Sequence, residues 1–280
     1  MQKSLKKYFP IFMLPTIIAF TICFIIPFLL GIYLSLCKFT TVTDANFVGL
    51  ENYRKIWGDA SFVHSLWFTA VFAAASVVLI NVIAFAVALA LTKNIRGTSF
   101  FRTVFFMPNL IGGIVLGYIW QLIFNGVLRY YERSLTFSAS YGFWGLLILM
   151  CWQQIGYMMI IYIAGLQSIP TDLYEAATID GATPRQQLFK ITIPMSMPAI
   201  TICTFLTLTN SFKLFDQNLS LTNGAPSKMT EMLALNIVNT FYGRTGWEGV
   251  GQAKAVVFFI IVAILVFFQL KLTKAKEVQQ

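Results

Sequence analysis

Of 280 residues, 58% are hydrophobic and only 11% are charged, whereas a soluble domain carries about 25% charged residues, so water is not the chain's main solvent. The net charge of +9 would suggest nucleic acid in a soluble protein. Here the basic residues sit between apolar runs, which is the pattern of membrane topology. Cys23, Cys37, Cys151 and Cys203 are scattered, no pair having metal-ligand or redox spacing, and read as small apolar fillers.

In chain order, residues 1–10 form a basic lead-in with Lys3, Lys6 and Lys7, and residues 11–36 follow without a charge. That exceeds the roughly 20 apolar residues a spanning helix needs, with Pro27 as its expected kink. A cleaved signal peptide fits poorly, because the stretch is too long and no small-x-small site ends it. Leu34-Ser35-Leu36-Cys37 hints at a lipid-attachment box, but Leu36 is too bulky beside the cysteine. Residues 38–61 are polar and aromatic, residues 62–91 make a second span, and Lys93, Arg96 and Arg102 crowd the next turn. A third span is predicted over 104–124, with Pro108 near its start, and a fourth over 141–164. A polar island separates this from a fifth span over 197–218. A polar stretch then reaches Lys254, and the last span ends near Leu270 before Lys271, Lys274 and Lys276.

The expected fold is therefore an all-α integral membrane protein of six transmembrane helices over residues 11–270, with tails 1–10 and 271–280 on one side. Lys and Arg on that side outnumber those opposite by eleven to eight, although the opposite connections are longer. By the positive-inside rule both termini and the island are cytoplasmic.

The island spans the loop 165–195. Asp172 is expected to cap a short helix, with Glu175 reaching back in a capping box. Gly181 falls where a helix C-terminus wants positive φ, and Thr183-Pro184 restarts the chain as a cap followed by proline at the first helical position. Leu173, Ala176, Ala177, Leu188 and Phe189 offer apolar contacts. An amphipathic connector would also fit this spacing. The run Glu175-Ala176-Ala177, Gly181, Ile191 and Pro194 resembles the signature loop of ABC importer permeases, with Ile193 where leucine is usual. Gly165-Leu166-Gln167-Ser168-Ile169-Pro170 and Asp172-Leu173-Tyr174 are similar to the carbohydrate-uptake branch of that family. So are Phe47-Val48-Gly49-Leu50-Glu51-Asn52-Tyr53 and Leu221-Thr222-Asn223-Gly224-Ala225-Pro226, where Ala225 replaces a glycine. The C-terminal half looks most like multiple-sugar and raffinose-type permeases.

This resemblance implies a type I ABC importer permease in a bacterial cell membrane, forming half of the translocation path. Its implied partners are a second homologous permease, two cytoplasmic ABC ATPase subunits, an extracellular sugar-binding protein and a sugar. The coupling residues it implies are Asp172, Tyr174, Glu175, Ala176, Ala177, Asp180, Gly181, Ile191 and Pro194. ATP and magnesium would belong to the ATPase, because this chain has no phosphate-binding G-x-x-x-x-G-K-[ST] loop. No catalytic set and no metal cluster is expected, and the single histidine, His64, reads as interfacial.

A sugar path needs hydrogen-bonding groups within the bilayer, where unsatisfied polar groups are costly. Gln153 and Gln154 lie near the predicted midplane of the fourth span beside Trp152 and Tyr157, whose ring faces suit sugar C–H surfaces. Thr207, Asn210, Ser211 and Leu214 share one helical face of the fifth span. By resemblance to maltose-type permeases, the matching positions are Trp152, Gly156, Met159, Thr207, Asn210, Ser211 and Leu214. Helix–helix hydrogen bonding is the alternative for these groups. Lys213 and Asp216 would either pair with each other or leave Lys213 to meet an acidic sugar such as a sialic acid. An ion-coupled secondary transporter and a structural scaffold are the other classes in view; the former more often shows an internal repeat, and none is visible.

Overall fold

A computed structural model describes Phe9 and residues 13–93 and 96–275. Lys3, Lys6, Lys7 and Lys276, which enter the charge asymmetry, lie outside the described residues. Two compact units emerge: one holds the described residues up to Ala60 together with Ile237–Ile260, the other Ser61–Asn236 with the described residues from Ile261.

The first unit begins with helix α1 (Met13–Ser35). Pro27 does not break it. Proline lacks an N–H, and its ring clashes with the carbonyl four residues back. A π turn over Thr21–Ile25 absorbs the misfit, the Ile26 N–H reaching back to Thr21 O. The expected polar connection then folds further than its composition suggested, departing from an all-helical chain by a two-residue antiparallel pair, β1 (Cys37–Lys38) and β2 (Asn46–Phe47). Between them Asp44 accepts the Thr41 and Thr40 backbone N–H groups at 2.8 and 3.1 Å, which holds its carboxyl below the usual carboxylate range. Helix α2 (Glu51–Gly58) follows. Its buried Asn52 donates to Ser35 O and Cys37 O, at 2.9 and 2.8 Å, and so ties α2 to the end of α1.

In the second unit, helix α3 (Ala60–Leu91) buries Phe72, Ser76, Ile80, Ala84 and Ala88, a stripe at every fourth residue. Its small members let neighbouring backbones approach closely. The predicted third span is two helices, α4 (Thr98–Phe106) and α5 (Gly113–Arg129), at 101° to one another. A 3₁₀ turn at Met107–Leu110 carries Pro108, and Ile111 and Gly112 are extended, so the backbone ladder is cut between the two. Helix α6 (Ala139–Gln167) is long and deeply buried. After it come α7 (Thr171–Ile179) and α8 (Pro184–Met195), then α9 (Met197–Phe212) at 66° to α8. A π turn at Leu188–Thr192 precedes Pro194 in the register seen before Pro27, and the Ile193 N–H reaches Leu188 O. The predicted fifth span thus stops short of Asn218: Lys213 ends α9 and the chain restarts as α10 (Asp216–Leu221). Leu214 lies beyond the helix whose face it was expected to share. The core of this unit joins Phe72, Ile80, Leu146, Met150, Met159 and Cys203.

Two helices cross from one unit's residues to the other's along the chain, α11 (Leu233–Gly243) and α12 (Glu248–Lys274). The last span therefore starts before Lys254, not after it. Lys254 is fully buried, 2.7 Å from Asp59 Oδ2 and 2.7 Å from Thr240 Oγ1, all within the first unit. Four of these helices are long and apolar enough to cross a membrane, and six crossings result if each bent pair counts as one.

Candidate functional site

The island forms a helical elbow, built locally. Helix α7 starts after Pro170, two residues earlier than expected, so Asp172 sits in the first turn and no side chain caps the helix. The capping box expected of Asp172 and Glu175 is absent because proline already occupies the boundary. Asp172 still lies near the positive end of the helix dipole. At the other end Gly181 has φ +76°, a conformation L side chains avoid. Its N–H meets Thr178 O at 3.1 Å, and the Ala182 N–H meets Ala177 O at 2.8 Å, closing the C-terminus. Thr183 and Gln186 form the capping box of α8, the Thr183 N–H donating to Gln186 Oε1 at 2.8 Å, with Pro184 at the first helical position.

Two side-chain bonds brace the elbow. Tyr174 Oη and Thr192 Oγ1 lie 3.0 Å apart, and Gln187 Nε2 donates to Thr178 Oγ1 at 3.1 Å. Sequence reading missed Thr178, Gln187 and Thr192, whose bonds cross between the two arms of the elbow and so leave no helical spacing to read. Glu175, Ala176, Asp180 and Gly181 are exposed, and Ala177, Ile191 and Pro194 half-buried. Among the apolar residues Leu173 and Phe189 are exposed, and Ile179, which the sequence reading passed over, is 87% exposed.

The intramembrane candidates divide by burial. Gln153, the central residue of α6, is buried; its Nε2 donates to Ile111 O at 3.3 Å, and its Oε1 accepts from Gln217 Nε2 at 2.8 Å. Asn210 Nδ2 donates to Gln154 Oε1 at 3.3 Å, joining α9 to α6. Trp152 is 43% exposed, its ring edge-on to Trp120. Met159, Thr207, Ser211 and Leu214 are buried. Thr207 and Ser211 donate back to Cys203 O and Thr207 O within their own helix. Gly156 meets α4 so closely that a Cβ there would lie 1.8 Å from Phe105 O. Asn81 on α3 was not anticipated; it accepts from Tyr162 Oη at 2.6 Å and donates to Thr207 Oγ1 at 3.3 Å. Lys213 is exposed and makes no ion pair with Asp216 among the described residues, because the helix carrying the i, i+3 spacing ends between them. No group of metal-ligating side chains occurs among the described residues.

Residues 81–275 match the family described as binding-protein-dependent transport system inner membrane component. The chain belongs to that family. This permease is 44% identical over 277 residues to the "Probable starch degradation products transport system permease protein AmyD" of Thermoanaerobacterium thermosulfurigenes, covering 96% of this chain and 94% of that protein. It is 31% identical over 288 residues to the "Multiple sugar-binding transport system permease protein MsmF" of Streptococcus mutans, covering 99% of each. In fold the permease is similar to a chain of a bacterial ABC transporter involved in the import of the acidic polysaccharide alginate, with a TM-score of 0.82, 18% identity and 98% of each chain covered. The expected importer-permease fold and the resemblance to sugar-uptake permeases are borne out. Membership in a binding-protein-dependent family displaces the ion-coupled secondary transporter.

Proposed function

We propose that this permease forms half of the translocation path of an ATP-driven importer of oligosaccharide-type sugars, in a bacterial cell membrane with both termini cytoplasmic. A second homologous permease completes the path over residues 11–270, an extracellular binding protein delivers the sugar, and two cytoplasmic ATPase subunits hold the ATP and magnesium. The permease itself is non-catalytic, in keeping with the missing phosphate-binding loop. The names of two relatives, for starch degradation products and for multiple sugars, support the substrate class.

One observation carries the coupling role: the elbow is closed at both ends and cross-braced, yet presents exposed Leu173, Ile179 and Phe189. A braced surface with apolar contacts transmits a push, where a loose loop would absorb it. Asp172, Tyr174, Glu175, Ala176, Ala177, Asp180, Gly181, Ile191 and Pro194 then shape or fix the face that seats on the ATPase. Along the path, Trp152, Gln154 and Asn210 offer a ring and amides to the sugar, with Gln153, Gly156, Met159, Thr207, Ser211 and Leu214 setting the wall behind them. Lys213, exposed and without an ion pair among the described residues, favours a second reading of the substrate, an acidic sugar such as a sialic acid.

Gly181→Val tests the coupling reading. A β-branched residue at φ +76° costs about 1–2 kcal/mol, enough to reshape the elbow while the spans assemble. In liposomes holding the permeases, ATPase and binding protein, sugar-stimulated ATP hydrolysis should fall at least about tenfold. Normal coupling in that variant removes the docking role.

A further inference from the structure

Two cavities of about 400 and 430 Å³ flank the elbow where α3 gives way to its polar turn, and Lys93, Leu89, Tyr174 and Thr192 line both. Arg185 and Gln187 add to the walls of the first. No carboxylate lines either cavity, and neither Lys93 nor Arg185 forms an ion pair among the described residues. Two cations therefore share a groove with a hydroxyl pair, Tyr174 Oη and Thr192 Oγ1 at 3.0 Å, and with no anion among the described residues that line it. We propose that this groove is a binding site for an anionic phosphate group.

The chemistry favours phosphate over a smaller anion. A guanidinium fork and an ammonium group together match several oxygens of a tetrahedral anion, and the space greatly exceeds a halide. Leu89 and Leu188 give the groove an apolar side, which suits the glycerol and first methylenes of a phospholipid. The groove also lies where the apolar α3 ends at Leu91 and Lys93 begins the turn, the depth at which basic side chains meet lipid phosphates. An anionic headgroup and free phosphate are the two sources of this chemistry. Bound there, either would tie the turn after α3 to α7 and α8.

The test uses the purified importer complex, delipidated in detergent, with native mass spectrometry reading retained lipid. The wild-type complex should hold phosphatidylglycerol at least about tenfold more tightly than phosphatidylcholine. Lys93→Gln with Arg185→Gln should bring the two lipids level, and Lys93→Arg alone should keep the preference, which separates lost charge from lost folding. If inorganic phosphate displaces phosphatidylglycerol from wild type, free phosphate also occupies the site and the proposal stands. Equal phosphatidylglycerol binding by wild type and double variant overturns it, as does a wild type with no preference. None of these readouts requires transport, so failure of lipid binding and failure of sugar import are told apart.

Discussion

Lys254 is fully buried in a helix of mostly apolar residues, and Asp59, 2.7 Å away and 8% exposed, is what keeps its charge there. Arg244 stands 3.6 Å from the same carboxylate oxygen, and Thr240 takes a further Lys254 proton at 2.7 Å. A buried pair gains little net stability, but removing one member takes away the other's nearest counter-charge, at up to about 3–5 kcal/mol. Lys254→Met or Asp59→Asn alone should therefore lower the melting temperature of the detergent-purified complex sharply. The double variant should lose clearly less than the two single losses added together, the signature of direct coupling. Strict additivity in that cycle refutes the pairing. At this scale the sequence misled: a lysine at the end of a polar stretch read as part of a connection, because its counter-charge lies 195 residues away.

Among the elements, the two π turns show how the spans tolerate proline. Each ends two residues before the ring, at Ile25 before Pro27 and at Thr192 before Pro194, so the lost N–H and the displaced carbonyl are accommodated inside the helix. Pro108 finds no such relief, and there the chain turns by 101°. The packing of α6 on α4 depends on Gly156, where any Cβ would strike the Phe105 carbonyl. Gly156→Ala should push these helices apart and destabilise the protein by about 1–3 kcal/mol. Gly126→Ala, in α5 with nothing within 4 Å of its added methyl, should be neutral or slightly stabilising. Equal melting temperatures for the two variants contradict the close contact. The caps of the elbow were legible because they are local: Gly181 and Thr183-Pro184 stand where the sequence put them. The capping box at Asp172 was not, since Pro170 set the boundary first.

For the whole molecule, the intramembrane amides decide what the path can do. Asn210→Ala removes the partner of Gln154, and Gln153→Ala that of Gln217. Either should reduce sugar uptake at least about tenfold, equivalent to about 1.4 kcal/mol, while the complex still assembles by size-exclusion chromatography. Unchanged uptake kinetics in both removes them from the path. The sequence by itself determined that this chain lives in a bilayer and where the elbow turns at Gly181 and restarts at Thr183-Pro184. Backbone groups in lipid must bond within their own segment, so apolar length, proline and glycine act locally and can be read in order. Only the tertiary structure decided which polar groups inside the spans find each other. The Asn210–Gln154 and Gln217–Gln153 pairs join residues 56 and 64 positions apart. Their meeting depends on where α9 stops and α10 turns back, which packing against other helices sets and no local spacing encodes.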